Sequence, residues 1–116
     1  MSILEISEHS LTANSHTSFY LAAGPKDGPP IIFVHGWPEL SISWRHQLPA
    51  LAGLGFRAVA PDMRGYGRSS IYDKNHDYAQ ETVVSDMLGL LYGLGHKRSV
   101  WVGHDWGSPT VWALAS

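Results

Sequence analysis

Cysteine is absent from all 116 residues. Disulfides and thiolate zinc sites are thereby excluded. Charge is scarce too: 16% of residues are charged, Lys and Arg number 8 against 10 Asp and Glu, and the net charge is −2. Without a basic excess there is no electrostatic footprint for nucleic acid or an anionic membrane. No apolar run approaches the roughly 18–20 residues of a membrane span. Met1-Ser2-Ile3-Leu4-Glu5 lacks the basic stretch and apolar core of a signal peptide, so a cytoplasmic location is expected. Gly65-Tyr66-Gly67-Arg68-Ser69-Ser70 has no Gly-Lys-Ser/Thr and is not a P-loop. Ser70 stands where a dinucleotide fingerprint needs its third glycine. The length supports one domain at most, and no repeat or low-complexity tract breaks it.

What is present alternates strand and helix signals. Ile3 to Ser7 and Ser18 to Ala22 read as short strands of a hairpin-like unit. Gly24-Pro25-Lys26-Asp27-Gly28-Pro29 is a turn cluster. Ile31 to Val34 is an apolar, β-branched run suited to a strand buried on both faces. Trp44, Leu48, Leu51 and Ala52 fall at helical spacing, with Gly53 and Gly55 to stop them. Pro49 either kinks that helix or starts a second short one. Phe56 to Ala60 is the next strand, Tyr78 to Leu94 a longer helix with Asp77 and Gln80 as its capping box, and Ser99 to Val102 a further strand. Strands separated by helices predict βαβ units and a mainly parallel sheet, an α/β fold.

Gly103-His104-Asp105-Trp106-Gly107 is the richest stretch chemically. It lies between the Ser99 to Val102 strand and the apolar segment Pro109 to Ala115. Strand, tight turn and helix are the layout of a nucleophile elbow. Small residues at both flanks let strand and helix backbones pass close together. The usual apex residue is Ser; here it is Asp105. A carboxylate is already ionised at neutral pH and needs no base to attack. It can displace a leaving group at an sp³ carbon and form an alkyl-enzyme ester. Water then attacks the carbonyl of Asp105 itself, and the oxyanion needs backbone N–H donors. Trp106 follows the nucleophile and offers one; Trp37, in the break after the Ile31 to Val34 strand, offers the second.

His35-Gly36-Trp37-Pro38, Asp62-Met63-Arg64-Gly65-Tyr66-Gly67-Arg68-Ser69-Ser70 and Gly103-His104-Asp105-Trp106-Gly107 stand in the order seen in α/β-hydrolase-fold epoxide hydrolases, which this chain resembles from about Ile31 to Ser116. Haloalkane and fluoroacetate dehalogenases are relatives of that family. Typical haloalkane dehalogenases carry Asn where Trp37 stands, and fluoroacetate dehalogenases carry Arg where Trp106 stands. The resemblance implies a small-molecule epoxide substrate, Asp105 as catalytic residue, Trp37 and Trp106 as oxyanion donors, and His35, Gly36, Pro38 and His104 as their supporting loops. It implies no metal or organic cofactor, and it predicts a cis Trp37-Pro38 peptide. It also implies that residues 1–116 are a partial hydrolase core, since the cap domain, the late His base and the second acid do not occur in them. The elbow strand is then expected at an edge of the sheet. A dehalogenase is the alternative enzyme. An inactive fragment that completes its sheet with a second polypeptide is the alternative of another class.

Plainer readings stand beside these. Asp105 also fits an N-cap. His35 and His104 are next to strand ends without metal-ligand spacing, and are expected buried and hydrogen-bonded, fixing their turns. His9, His16, His46, His76 and His96 are expected at the surface, and most of Trp37, Trp44, Trp101, Trp106 and Trp112 in the core, with Trp106 lining the pocket. Asp62 and Arg64 are expected to brace the glycine-rich loop, and Glu39 to be a solvated loop acid.

Overall fold

A computed structural model describes residues 5–13, 15–35, 41–65, 67–69, 80–104 and 107–115. Strands β1 (Ser7–Ala13), β2 (His16–Ala23), β3 (Pro30–Val34), β4 (Arg57–Pro61) and β5 (Val100–Gly103) form one sheet in the order β1-β2-β4-β3-β5. β1, β2 and β4 pair antiparallel in succession, while β4, β3 and β5 are parallel. The α/β fold is as expected; the sheet, expected to be mainly parallel, is mixed, with two antiparallel and two parallel pairings among the described residues. β5 pairs with β3 on one side only among the described residues, which puts the elbow strand at an edge.

Alternation along the strands sorts side chains onto two faces. On one, Phe19, Leu21, Ile31, Phe33, Ala58 and Ala60 pack against helix α1 (Gln47–Ala52) and the 3-10 turn Ser41–Trp44. The Trp44 ring lies 4.9 Å from that of Phe33. On the other, Tyr20, Ile32, Val34 and Val59 pack against helices α2 (Gln80–Gly93) and α3 (Gly107–Ala115), through Met87, Leu90, Leu91, Val111 and Leu114. β3 is buried along its whole length because both faces are covered.

Several boundaries differ from the sequence expectation. The first strand runs Ser7–Ala13, not Ile3 to Ser7. Its alternating burial is carried by Ser7, His9, Leu11 and Ala13, an inward face with one large apolar residue. Pairing with β2 therefore decides its position more than hydrophobicity does. Pro49 resolves as the second of the two alternatives: it lies in the first turn of the short α1, where no N–H partner is required. Gly53 caps α1, and Gly55 turns the chain with φ 94°. Helix α2 is described from Gln80, so Asp77 of the expected capping box lies outside the described residues. Trp112 is 76% exposed, against the expectation of a core residue, because α3 turns Thr110, Val111 and Leu114 inward instead. Trp44 and Trp101 are partly buried against the two cores, as expected.

Candidate active site

In a parallel sheet, ligands bind beyond the carboxyl ends of the strands, where the strand order reverses. The chain moves from β3 to β4 on one side, then returns to β5 on the other. The reversal therefore falls at the carboxyl ends of β3 and β5, which lead into His35 and His104.

The bend after β5 is built on backbone proximity. The His104 N–H donates to the Val34 carbonyl at 3.2 Å, extending the β3–β5 ladder by one step. The Gly107 N–H then donates to the His104 carbonyl at 2.9 Å, closing a tight turn into α3. A Cβ on Gly107 would meet the Val34 carbonyl oxygen at 2.3 Å and the His35 oxygen at 2.9 Å. A Cβ on Gly103 would meet the Gly107 oxygen at 2.8 Å and a Val111 methyl at 2.7 Å. Only glycine lets strand, turn and helix approach so closely. Asp105 and Trp106 lie between these two glycines and outside the described residues.

The break after β3 is held at both ends by the segment that leaves β4. His35 is buried, and its Nε2 accepts the Met63 N–H at 2.9 Å. That bond requires the tautomer protonated at Nδ1. The Ser41 N–H donates to Asp62 Oδ1 at 2.7 Å. Gly36, Trp37, Pro38 and Glu39, with the expected cis peptide, lie between His35 and Ser41 and outside the described residues. Sequence reasoning missed Ser41, whose contribution is a backbone N–H that any non-proline residue could supply.

Asp62 braces the glycine-rich loop, as expected. Its Oδ2 accepts the Arg68 N–H at 3.2 Å, and its carbonyl accepts the Ser69 hydroxyl. Ser69 Oγ in turn accepts the Phe19 N–H at 2.9 Å, and the Asp62 N–H donates to the Phe19 carbonyl at 2.8 Å. Gly67, at φ 51°, would place a Cβ 2.2 Å from Asp62 Oδ2, so the turn folds directly over the carboxylate. Arg64 braces α2 instead. Its Nε and Nη2 each donate to Asp86 at 2.7 Å in a buried, bidentate pair.

Two histidines correct the expectation. His104 is exposed at its turn, so its backbone, not a buried imidazole, ties β5 to β3. His16 is 3% exposed rather than superficial, with Nε2 3.6 Å from Asp86. Burial holds its pKa below the ordinary 6.5; Asp86 opposes that shift and Arg64 adds to it. The signal for His16 lay in Asp86, far along the chain, and no local pattern exposes it. His46 is exposed, and His9 and His96 are half-buried. Among the described residues no group of His, Asp and Glu is placed to hold a metal ion, and no helix is long and apolar enough to cross a membrane.

The sequence profile of the alpha/beta hydrolase fold matches residues 29–116. Epoxide hydrolase A of Mycobacterium tuberculosis is 50% identical over 90 residues, covering 78% of this chain and 28% of that protein. Bifunctional epoxide hydrolase 2 of Sus scrofa is 47% identical over 88 residues, 76% of this chain and 16% of that protein. The crystal structure of epoxide hydrolase A from Mycobacterium thermoresistibile superposes with a TM-score of 0.92 at 40% identity, over 96% of this chain and 35% of that one. An epoxide hydrolase from Vigna radiata superposes at 0.90 and 39% identity, over 97% and 36%. The chain thus spans 28% and 27% of two curated relatives it matches.

Proposed function

Since the chain belongs to the α/β-hydrolase-fold family, we propose that it carries the nucleophile half of an epoxide hydrolase, with Asp105 at the apex of the bend after β5. The observation that carries this reading is the glycine pair at 103 and 107. Their crowding against Val34, His35 and each other is what a strand-to-helix elbow requires, and the middle one of the three residues between them is a carboxylate.

One carboxylate oxygen of Asp105 attacks an oxirane carbon from behind the C–O bond. A carbon–oxygen ester bond forms, the strained C–O bond breaks, and the alkoxide takes a proton from an acid. That acid belongs to a cap domain, as the resemblance implies. Water, giving its proton to a histidine base outside residues 1–116, then attacks the ester carbonyl. The backbone N–H groups of Trp37 and Trp106 hold the oxyanion until it collapses to the vicinal diol and the Asp105 carboxylate. His35 and Ser41 fix the two ends of the segment carrying Trp37 by bonding to Met63 and Asp62. His104, Gly36 and Pro38 complete the supporting turns. No step calls for a metal or organic cofactor.

Single turnover of the whole enzyme in heavy-oxygen water tests this reading. The first diol should carry unlabelled oxygen from Asp105, and label in that product refutes the covalent route. Release of halide from a simple haloalkane, with no diol from any epoxide, reassigns the site to a dehalogenase.

A further inference from the structure

A cavity of about 240 Å³ lies on the α2 side of the sheet. It runs from Arg57, which opens β4, toward the His9–Tyr20 pair, whose backbone stands level with Pro61 at the other end of that strand. His9 reaches it from β1, Tyr20 from β2, Lys26 from the turn before β3, Arg57 from β4, and His96 from the turn after α2.

Arg57 is only 9% exposed. Its Nη1 donates to the Gly24 carbonyl at 2.7 Å. Among the described residues no carboxylate forms an ion pair with it. Buried guanidinium groups are ordinarily paired, because an uncompensated buried charge is costly. The guanidinium carries five N–H donors in a planar fork, and one carbonyl satisfies a single donor. The other lining groups add positive charge or neutral donors: Lys26, two imidazoles and a phenol. The field is felt by His9, whose pKa burial, then Arg57, then Lys26 all push below 6.5. The ring of His9 stacks on Tyr20 at 5.0 Å, and its Nε2 lies 2.6 Å from Ser7 Oγ, so the imidazole is held in place at the cavity wall. Tyr20 is pushed up by burial, with Arg57 opposing.

We propose that this cavity is an oxyanion-binding site for a phosphate or carboxylate group of a small molecule, with Arg57 as its fork-shaped anchor. Lys26 closes the ligand from the solvent side, the His96 ring adds a wall, and His9 adds a donor when protonated. A bound anion favours the imidazolium form, so affinity rises as pH falls. The proposal does not depend on the chemistry assigned to Asp105.

Sulfate and acetate, titrated at ionic strength fixed with sodium chloride, are the probes. Sulfate stays fully ionised across the pH range of imidazole titration, so the pH dependence of its binding belongs to the protein, and acetate is compared with it at neutral pH. Nuclear magnetic resonance of the His9 and His96 ring protons reads occupancy directly. Saturable shifts are expected, with affinity weakened by about tenfold or more in Arg57→Met and a few-fold in Lys26→Gln. Sulfate affinity should also tighten as pH falls below 6.5, where His9, depressed by burial, Arg57 and Lys26, takes up its proton. Sulfate binding tighter than acetate assigns the site to a phosphate-type group, and the reverse assigns it to a carboxylate. Shifts no larger than chloride produces, or affinity unchanged in both variants, overturn the proposal. Should Arg57→Met not fold, the exposed Lys26→Gln decides alone, and unchanged affinity there overturns it.

Discussion

Asp62 and Arg57 are buried charges just beyond and just inside the two ends of β4, and they are treated in opposite ways. The Asp62 carboxylate accepts two backbone N–H groups, from Ser41 and Arg68, and its carbonyl accepts Ser69. Among the described residues Arg57 makes one hydrogen bond, to Gly24. A buried carboxylate bonded to backbone at both oxygens organises the chain around it. A buried charge with donors to spare faces a cavity. Bonding at both oxygens thus marks the charge that holds loops still, and spare donors mark the charge with room beside it for a guest.

Substitutions can break this contrast, beginning where pairing is most complete. Asp86→Ala leaves the buried Arg64 guanidinium without its bidentate partner, and should lower stability by about 3–5 kcal/mol in urea unfolding. A loss below about 1 kcal/mol would mean that the pair is no more than a surface contact. Asp62→Ala strands two backbone N–H groups, and should cost roughly 3 kcal/mol by the same measurement. Gly107→Ala drives a methyl against the Val34 carbonyl, which belongs to backbone that cannot swing aside. A loss of about 1–3 kcal/mol is expected, with reduced epoxide turnover in the whole enzyme. Full turnover in that variant would contradict the elbow.

Acid provides a smaller effect. His16 is held below 6.5, first by burial, and His9 likewise. As pH falls through 6.5 the unfolded chain takes up protons that the folded chain resists. Stability should therefore decline from about pH 6.5 downward and level off below the folded-state values. Urea midpoints measured along that range should slope less in His16→Asn than in the parent. The least effect is expected at the spare-donor end. Arg57→Met removes one hydrogen bond but also an unpaired buried charge, so stability should change by no more than about 1 kcal/mol. A loss as large as that of Asp86→Ala would show Arg57 to be as fully paired as Arg64, and would erase the contrast.

How legible these features are in the chain follows from the range of the forces involved. β3 and β4 read plainly because Ile31 to Val34 and Ala58 to Ala60 are apolar runs buried on both faces. The elbow reads plainly because Gly103 and Gly107 are a backbone requirement four positions apart. β1 was displaced because Ser7, Glu8, His9 and Ser10 carry almost no hydrophobic signal, and its strand exists through hydrogen bonds to β2. His16 and Trp112 were misplaced for a related reason. The residues that bury one, and the neighbours that leave the other exposed, come from distant segments. Arg57 carries no local signal, since its meaning lies in the absence of a carboxylate partner among the described residues.

The two tethers on β4's exit have an engineering corollary. His35 and Ser41 are each moored to adjacent positions, Met63 and Asp62, by bonds that use none of the side chains between residues 36 and 40. A variant that removes one tether, His35→Ala or Asp62→Ala, therefore frees one end of that segment and leaves the other moored.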